Sequence, residues 1–188
     1  MSHATICKDT HLDRDVLIKE LQLGVDQRRI LDEVAALTGI RSKHVVQIYD
    51  VIKDGHGAVV GIVEEYIPGP DLTDSIPVND QNEFLRIAFA ISSGLSDIHA
   101  FGHVHRDIKP NNIKFDAERC LKIFDFGLAR RDQVNAATQG AVGTPGFMAP
   151  ELWVDDDEVA QFDKAIDVYA FGATMLMLSL GTLPRPLR

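Results

Sequence analysis

The sequence predicts an α+β fold with two parts, a small antiparallel sheet that carries one helix and a mainly helical region after it. Strand-like runs occupy the first third of the chain, whereas apolar residues at helical spacing dominate the rest. A break rich in proline and glycine at residues 67–70 separates the two patterns. We therefore expect an N-terminal part, 1–66, and a C-terminal part, 67–188.

The strands are predicted from runs of β-branched and aliphatic residues at 15–21, 45–52 and 58–66. The turn sequence D-G-H-G at residues 54–57 joins the second and third runs, which is typical of a hairpin. These features together indicate an antiparallel sheet.

Three helices are predicted from apolar residues that recur every three to four positions. They cover residues 26–37, 84–98 and 163–180. The first is expected to carry Ile30, Leu31, Val34 and Leu37 along one face. The second is expected to be largely buried, and the third to have a core of Met175, Leu176 and Leu178.

Composition limits the possible classes of protein. The chain has 188 residues, 45% of them hydrophobic, and a net charge of −9, which disfavours general nucleic-acid binding. Its apolar runs are too short to span a bilayer. Two isolated cysteines, Cys7 and Cys120, favour a reducing compartment, so we expect a cytoplasmic protein.

The chemistry is indicated by two short motifs. Residues 105–112 read H-R-D-I-K-P-N-N, and residues 125–127 read D-F-G after a gap that a short hairpin can fill. An Asp beside a Lys, an Asn five positions later and a second Asp before a Gly are the groups needed to hold Mg²⁺-ATP against a hydroxyl.

These motifs resemble those of Ser/Thr protein kinases, and the resemblance extends over essentially the whole chain. It implies a two-lobed kinase fold with ATP and Mg²⁺ between the lobes. Asp107 would orient the accepting hydroxyl, and Lys109 would contact the γ-phosphate. Asn112 and Asp125 would bind Mg²⁺.

The same resemblance assigns residues of the nucleotide site. Lys19, in the sequence V-L-I-K, would bind the α- and β-phosphates, with Glu33 as its ion-pair partner and Asp32 as the alternative. The backbone of Glu65 and Ile67 would receive the edge of adenine.

Residues 143–151, G-T-P-G-F-M-A-P-E, resemble the end of a kinase activation segment. Thr144 would shape the groove for a protein Ser or Thr. Thr138 is a candidate for regulatory phosphorylation, with Arg106 as the group that binds the phosphate, although an unmodified loop is equally compatible. Asp167 would cap the backbone of the catalytic loop.

The sequence also departs from the family pattern. Residues 1–4 align with the end of a glycine-rich loop that is otherwise missing, and the chain stops after the third helix, so we expect truncation at both ends. Leu17, Lys114 and Glu64 would make the adenine pocket smaller and more polar, and Glu64 is expected to pair with a Lys. Apolar surface left exposed by missing helices would favour a homo-oligomer.

Three functions follow from these observations. The first is a Ser/Thr protein kinase that acts on a protein hydroxyl. The alternative is a catalytically impaired pseudokinase module that binds partners, which the missing loop and the altered pocket favour. A small-molecule kinase is a weaker third possibility, because such enzymes usually lack the A-P-E segment at residues 149–151.

Overall fold

A computed structural model describes residues 3–21, 27–126, 146–153 and 163–183 of the chain. The N-terminal part is an antiparallel sheet of four strands in the order β1-β2-β4-β3. Its strands are β1 (Ala4–Asp9), β2 (Arg14–Glu20), β3 (Ile48–Lys53) and β4 (Val59–Glu65). Helix α1 (Gln27–Thr38) lies between β2 and β3 in the sequence. This arrangement confirms the predicted sheet with one helix.

Helix α1 buries a narrower stripe than its sequence pattern predicts. Ile30, Val34 and Leu37 are buried in the common core, whereas Leu31, which was expected on the same face, is 38% exposed. Successive residues of a helix are turned by about 100°, so Leu31 projects away from the stripe that the other three residues share.

The second predicted strand corresponds to β3, which starts later than predicted, at Ile48 instead of residue 45. The segment before it pairs with the C-terminal part. The Val46 amide donates to the Ile123 carbonyl at 2.8 Å, and the Ile123 amide donates to the His44 carbonyl at 2.9 Å. These backbone bonds connect the N-terminal sheet region to a hairpin of the C-terminal part.

The C-terminal part contains three main elements. Helix α2 (Gln81–Ala100) begins after Asp80, whose carboxylate accepts a hydrogen bond from the Glu83 amide at 2.7 Å. The hairpin of β5 (Ile113–Phe115) and β6 (Leu121–Ile123) follows, and α3 (Ala165–Leu180) is the last helix described. Together with the sheet they form the predicted α+β architecture.

Helix α3 is only partly covered. Leu178 is fully buried, but Leu176 is exposed, so the prediction that it belongs to the core is wrong. Val168, Tyr169 and Leu180 are exposed as well. This apolar face is the kind of surface on which the predicted self-association depends. Within the described part of the chain, none of the helices is long and apolar enough to span a membrane.

Gly94 allows α2 to pack closely against the His44 loop and strand β6. A Cβ at this position would lie 2.8 Å from the His44 carbonyl oxygen and 2.9 Å from Cδ1 of Ile123. We expect Gly94→Ala to destabilise the protein by about 1–3 kcal/mol, because both neighbours must move. Urea unfolding measures this change.

Gly172 in α3 is the matched control, because a Cβ there meets nothing within 4 Å. Gly172→Ala should raise the free energy of unfolding by up to about 1 kcal/mol through helix propensity alone. Equal effects of the two substitutions would contradict the proposed close packing at Gly94.

Candidate active site

The segment 105–112, which we call the catalytic loop after the motif it resembles, brings three predicted site residues into one cluster. Asn112 Nδ2 donates to the Asp107 carbonyl at 2.7 Å and to Asp107 Oδ2 at 2.8 Å. Lys109 Nζ lies 2.9 Å from the same Oδ2 atom. Asp107 and Asn112 are both buried. The chain between Asp107 and Asn112 therefore turns back through a 3₁₀ helix at Pro110–Asn112, which brings the two side chains together.

Asp167 fixes the start of this loop from helix α3. Its Oδ2 accepts hydrogen bonds from the His105 amide and from His99 Nε2, and its Oδ1 accepts one from the Arg106 amide, each at 2.8 Å. The carboxylate is fully buried. The predicted role of Asp167 as a cap is confirmed, while its bond to His99, on α2, is an addition that the sequence did not indicate.

Arg106 has a backbone conformation that the Asp167 bond helps to hold. Its φ of 71° lies in the left-handed region, which is uncommon for a residue with a Cβ. Asp125 also has a positive φ, of 64°. Strained backbone at both positions is consistent with a functional site whose surroundings determine its geometry.

His105 links the catalytic loop to the segment after β6. Its Nε2 lies 3.0 Å from the Phe124 carbonyl oxygen, and its Nδ1 lies 3.3 Å from the Asp107 amide nitrogen. A carbonyl can only accept and an amide can only donate, so the ring is neutral with its proton on Nε2. Burial of the ring lowers the pKa of His105.

A backbone hydrogen bond brings the chain segments of the two predicted metal ligands, Asn112 and Asp125, next to each other. The Phe124 amide donates to the Asn112 carbonyl at 3.0 Å, and Asp125 follows Phe124 directly. The β5-β6 hairpin separates Asn112 from Asp125 in the sequence and returns the chain to the same place. Its strand ends therefore position both side chains.

Lys19 of β2 reaches this place from the sheet. Its Nζ lies 2.9 Å from Glu64 Oε1 and 3.4 Å from Asp125 Oδ1. Among the described residues, no ion pair joins Lys19 to Glu33 or Asp32, so neither predicted partner holds it here. Glu64 does so because it lies on the adjacent strand and the same face of the sheet. The expectation that Glu64 pairs with a Lys is confirmed.

Glu65, the next residue, joins the two parts of the chain. Its carboxylate accepts hydrogen bonds from Lys122 Nζ at 3.0 Å and from the Gln47 amide at 3.1 Å. Lys122 belongs to β6. This pair could not be predicted from the sequence, because the two residues are 57 positions apart and meet only through the tertiary fold.

The predicted base-binding region contains an unusual cation. Lys114 Nζ lies 5.3 Å from the centre of the Phe124 ring, and Lys19 Nζ lies 5.8 Å from the same ring. Both distances are within the range of a cation–π contact. Phe124, which directly precedes Asp125, therefore has two ammonium groups close to its ring.

A comparison with protein families agrees with this geometry. Residues 1–187 match the family model for the protein kinase domain. The chain belongs to the protein kinase family. That assignment rests on nearly the full length of the chain.

Relatives of this kinase come from bacteria and eukaryotes. It is 32% identical to maternal embryonic leucine zipper kinase of Danio rerio over an alignment of 173 residues that covers 89% of the chain and 25% of the relative. It is 33% identical to a probable serine/threonine-protein kinase of Clostridium acetobutylicum over an alignment of 186 residues that covers 94% of the chain and 27% of the relative. The chain thus spans about a quarter of the length of these curated relatives.

Two predicted residues of the kinase, Thr138 and Thr144, lie outside the described residues. Their roles stay predictions, as does the phosphate-binding role of Arg106. The proposed contacts of adenine with the backbone of Glu65 and Ile67 also stay predictions. Ile67 is buried next to the end of β4.

Asp167→Asn tests the cap of the catalytic loop. The amide has one acceptor oxygen, so at least one of the three donors that Asp167 serves would face an NH₂ group. Each buried donor left unsatisfied costs about 1–3 kcal/mol. We expect lower stability in urea and faster hydrogen exchange of the His105 and Arg106 amides.

Asp13→Asn is the control for loss of one carboxylate, because the Asp13 side chain is 92% exposed and asparagine tolerates its positive φ. It should change stability by less than about 0.5 kcal/mol. Unchanged exchange at His105 and Arg106 in Asp167→Asn would show that the cap is unnecessary.

The lowered pKa of His105 predicts a pH dependence. A histidine of the unfolded chain has a pKa of about 6.5, so below that pH the unfolded chain binds a proton that the folded chain resists. Protonation of Nδ1 would also remove the acceptor of the Asp107 amide. The titration of His105 should therefore lower the free energy of unfolding as the pH falls below about 6.5, by at most about 1.4 kcal/mol per pH unit.

His105→Gln should flatten this slope between pH 7 and 5 in urea unfolding, even if it lowers stability at pH 7. His56→Gln is the control, because His56 is exposed in the turn between β3 and β4. A slope that His105→Gln leaves unchanged would assign the pH dependence to other groups.

Proposed function

We propose that this kinase chain transfers the γ-phosphoryl group of ATP to a Ser or Thr hydroxyl of a protein, with Mg²⁺. The observation that carries the proposal is the buried cluster of Asp107, Lys109 and Asn112, with Asp125 held beside it through the Phe124 backbone. Phosphoryl transfer needs mainly positioning and charge stabilisation, which this set of side chains can supply.

Asp107 is the group proposed to act on the substrate hydroxyl. Its carboxylate is buried, and both Asn112 and Lys109 contact its Oδ2 atom, so its orientation is restricted. In this position it would accept a hydrogen bond from the hydroxyl and take its proton during attack. Lys109 would stabilise the transferred phosphoryl group, since its ammonium lies beside the carboxylate.

The donor set fits a magnesium ion. Asn112 uses its amide nitrogen on Asp107, so its amide oxygen is the atom that a cation would take, and Asp125 offers a carboxylate that is 37% exposed. Mg²⁺ commonly takes one or two protein oxygens and completes its shell with phosphate and water. When bound, it would neutralise charge on the phosphate oxygens.

The nucleotide is proposed to lie between the parts 1–66 and 67–188. Lys19 would hold the α- and β-phosphates, and the backbone of Glu65 and Ile67 would bind the edge of adenine. Leu17 and Lys114 would contact the base from opposite sides and make this pocket more polar than a purely aliphatic one.

The partner would be a protein that presents a Ser or Thr in the groove shaped by Thr144. Phosphorylation of Thr138, read by Arg106, would regulate the site. A cytoplasmic location is consistent with these roles. The alternative, a binding module without turnover, is supported by the polar residues of the base pocket, Lys114 and Glu64.

The activity is tested by incubating the protein with Mg²⁺-ATP and a basic protein substrate and mapping phosphosites by mass spectrometry. Asp107→Asn should lower the rate by about 10²–10⁴-fold, because the amide cannot take the proton. Nucleotide binding, read as a thermal shift with Mg²⁺-ATP, should be retained.

Glu118→Gln is the control, because Glu118 is exposed in the turn of the β5-β6 hairpin. It should leave the rate unchanged. A thermal shift without any phosphate transfer by the unmodified protein would refute the enzyme and support the binding module.

A further inference from the structure

The partner of Lys19 lies on a strand of the same sheet. Strands β2 and β4 are antiparallel, with Leu17 opposite Glu64 and Lys19 opposite Ile62. Residues that face each other across such a pair point to the same side of the sheet, as do residues two positions apart. Lys19 and Glu64 are therefore diagonal neighbours on one face, within reach of a long side chain.

Glu64 is buried and Lys19 is mostly covered, so the Glu64 carboxylate cannot lose its partner at low cost. The side chains of Glu64 and Lys19 are 6% and 18% exposed. Burial raises the pKa of the Glu64 carboxyl, and the nearby Lys19 ammonium offsets part of this effect. Because the Glu64 carboxylate lies 2.9 Å from the Lys19 ammonium and would be costly to leave unpaired, each group restricts the position of the other.

Asp125 gives Lys19 a second carboxylate, at 3.4 Å. The ammonium thus lies between Glu64, which belongs to the rigid sheet, and Asp125, which is 37% exposed in the proposed metal site. Without Glu64, Asp125 would be the remaining carboxylate near Lys19 and would draw the ammonium toward itself. Glu64 therefore balances the pull of Asp125.

We propose that Glu64 is the positioning residue that holds Lys19 at the phosphate site, in place of a carboxylate on helix α1. This inference deepens the proposed function and rests on it for the identity of the ligand, Mg²⁺-ATP. The coupling between Glu64 and Lys19 is a property of the folded chain and can be measured without any phosphoryl transfer.

The first test is a double-mutant cycle on melting temperature. Lys19→Met leaves the buried Glu64 carboxylate without its ammonium, and Glu64→Gln leaves Lys19 with only the more distant Asp125 carboxylate, so each should lower the melting temperature. The double variant should lose less than the sum of the two shifts, by about 2–8 °C. The matched cycle of Lys19→Met with Glu33→Gln should be additive within about 1 °C.

The second test measures the position of Lys19 through affinity. Calorimetry gives the dissociation constants of Mg²⁺-ATP and of adenosine, which lacks phosphates. Glu64→Gln should weaken Mg²⁺-ATP about tenfold, as expected if Lys19 occupies its binding position about a tenth of the time, and leave adenosine unchanged. Glu33→Gln should weaken Mg²⁺-ATP less, and Glu64→Asp should recover part of the loss because it keeps the charge.

Additive Lys19–Glu64 shifts would overturn the proposal, and so would Mg²⁺-ATP affinity that Glu64→Gln leaves unchanged or improves. An equal or larger loss in Glu33→Gln would return the positioning role to helix α1. If the unmodified protein binds Mg²⁺-ATP and shows the coupling but transfers no phosphate, the enzyme proposal fails while the role of Glu64 stands.

Discussion

The carboxylate of Asp167 is the constraint on which the geometry of the candidate site depends. It is buried and accepts hydrogen bonds from two consecutive backbone amides, those of His105 and Arg106. The left-handed backbone of Arg106 would cost about 1–3 kcal/mol in a free loop. The two hydrogen bonds that the backbone amides donate to Asp167 offset that cost. Because Asp107 follows directly, the direction of its carboxylate is set by a residue on a different helix.

Hydrogen bonds also connect the catalytic loop to the segment that carries Asp125. His105 donates through Nε2 to the Phe124 carbonyl, and the Phe124 amide donates to Asn112. Each bond joins the catalytic loop to the end of the hairpin, so the proposed base and the proposed metal ligands belong to one hydrogen-bonded unit. A rigid arrangement of this kind suits phosphoryl transfer, in which positioning supplies much of the rate.

The catalytic cluster could be predicted from sequence because its parts are local. Asp107, Lys109 and Asn112 lie within six residues, and a loop of that length can be recognised without knowledge of the rest of the fold. The partner of Lys19 could not be predicted in this way, since it depends on the register of β2 against β4. The outward direction of Leu31 was missed for a similar reason, because periodicity alone does not give the width of the buried stripe.

The ion pair between Glu65 and Lys122 affects how the two parts of the chain move. Glu65 is the last residue of β4 and Lys122 lies in β6, so the pair links the sheet to the hairpin beside the proline-glycine segment. The Val46–Ile123 backbone hydrogen bond makes a second link nearby. Rotation about the connecting segment would have to stretch both links. The side chains of Lys122 and Glu65 are only 12% and 22% exposed, which limits screening of the ion pair by salt. Both links therefore restrict rotation of the sheet relative to the hairpin.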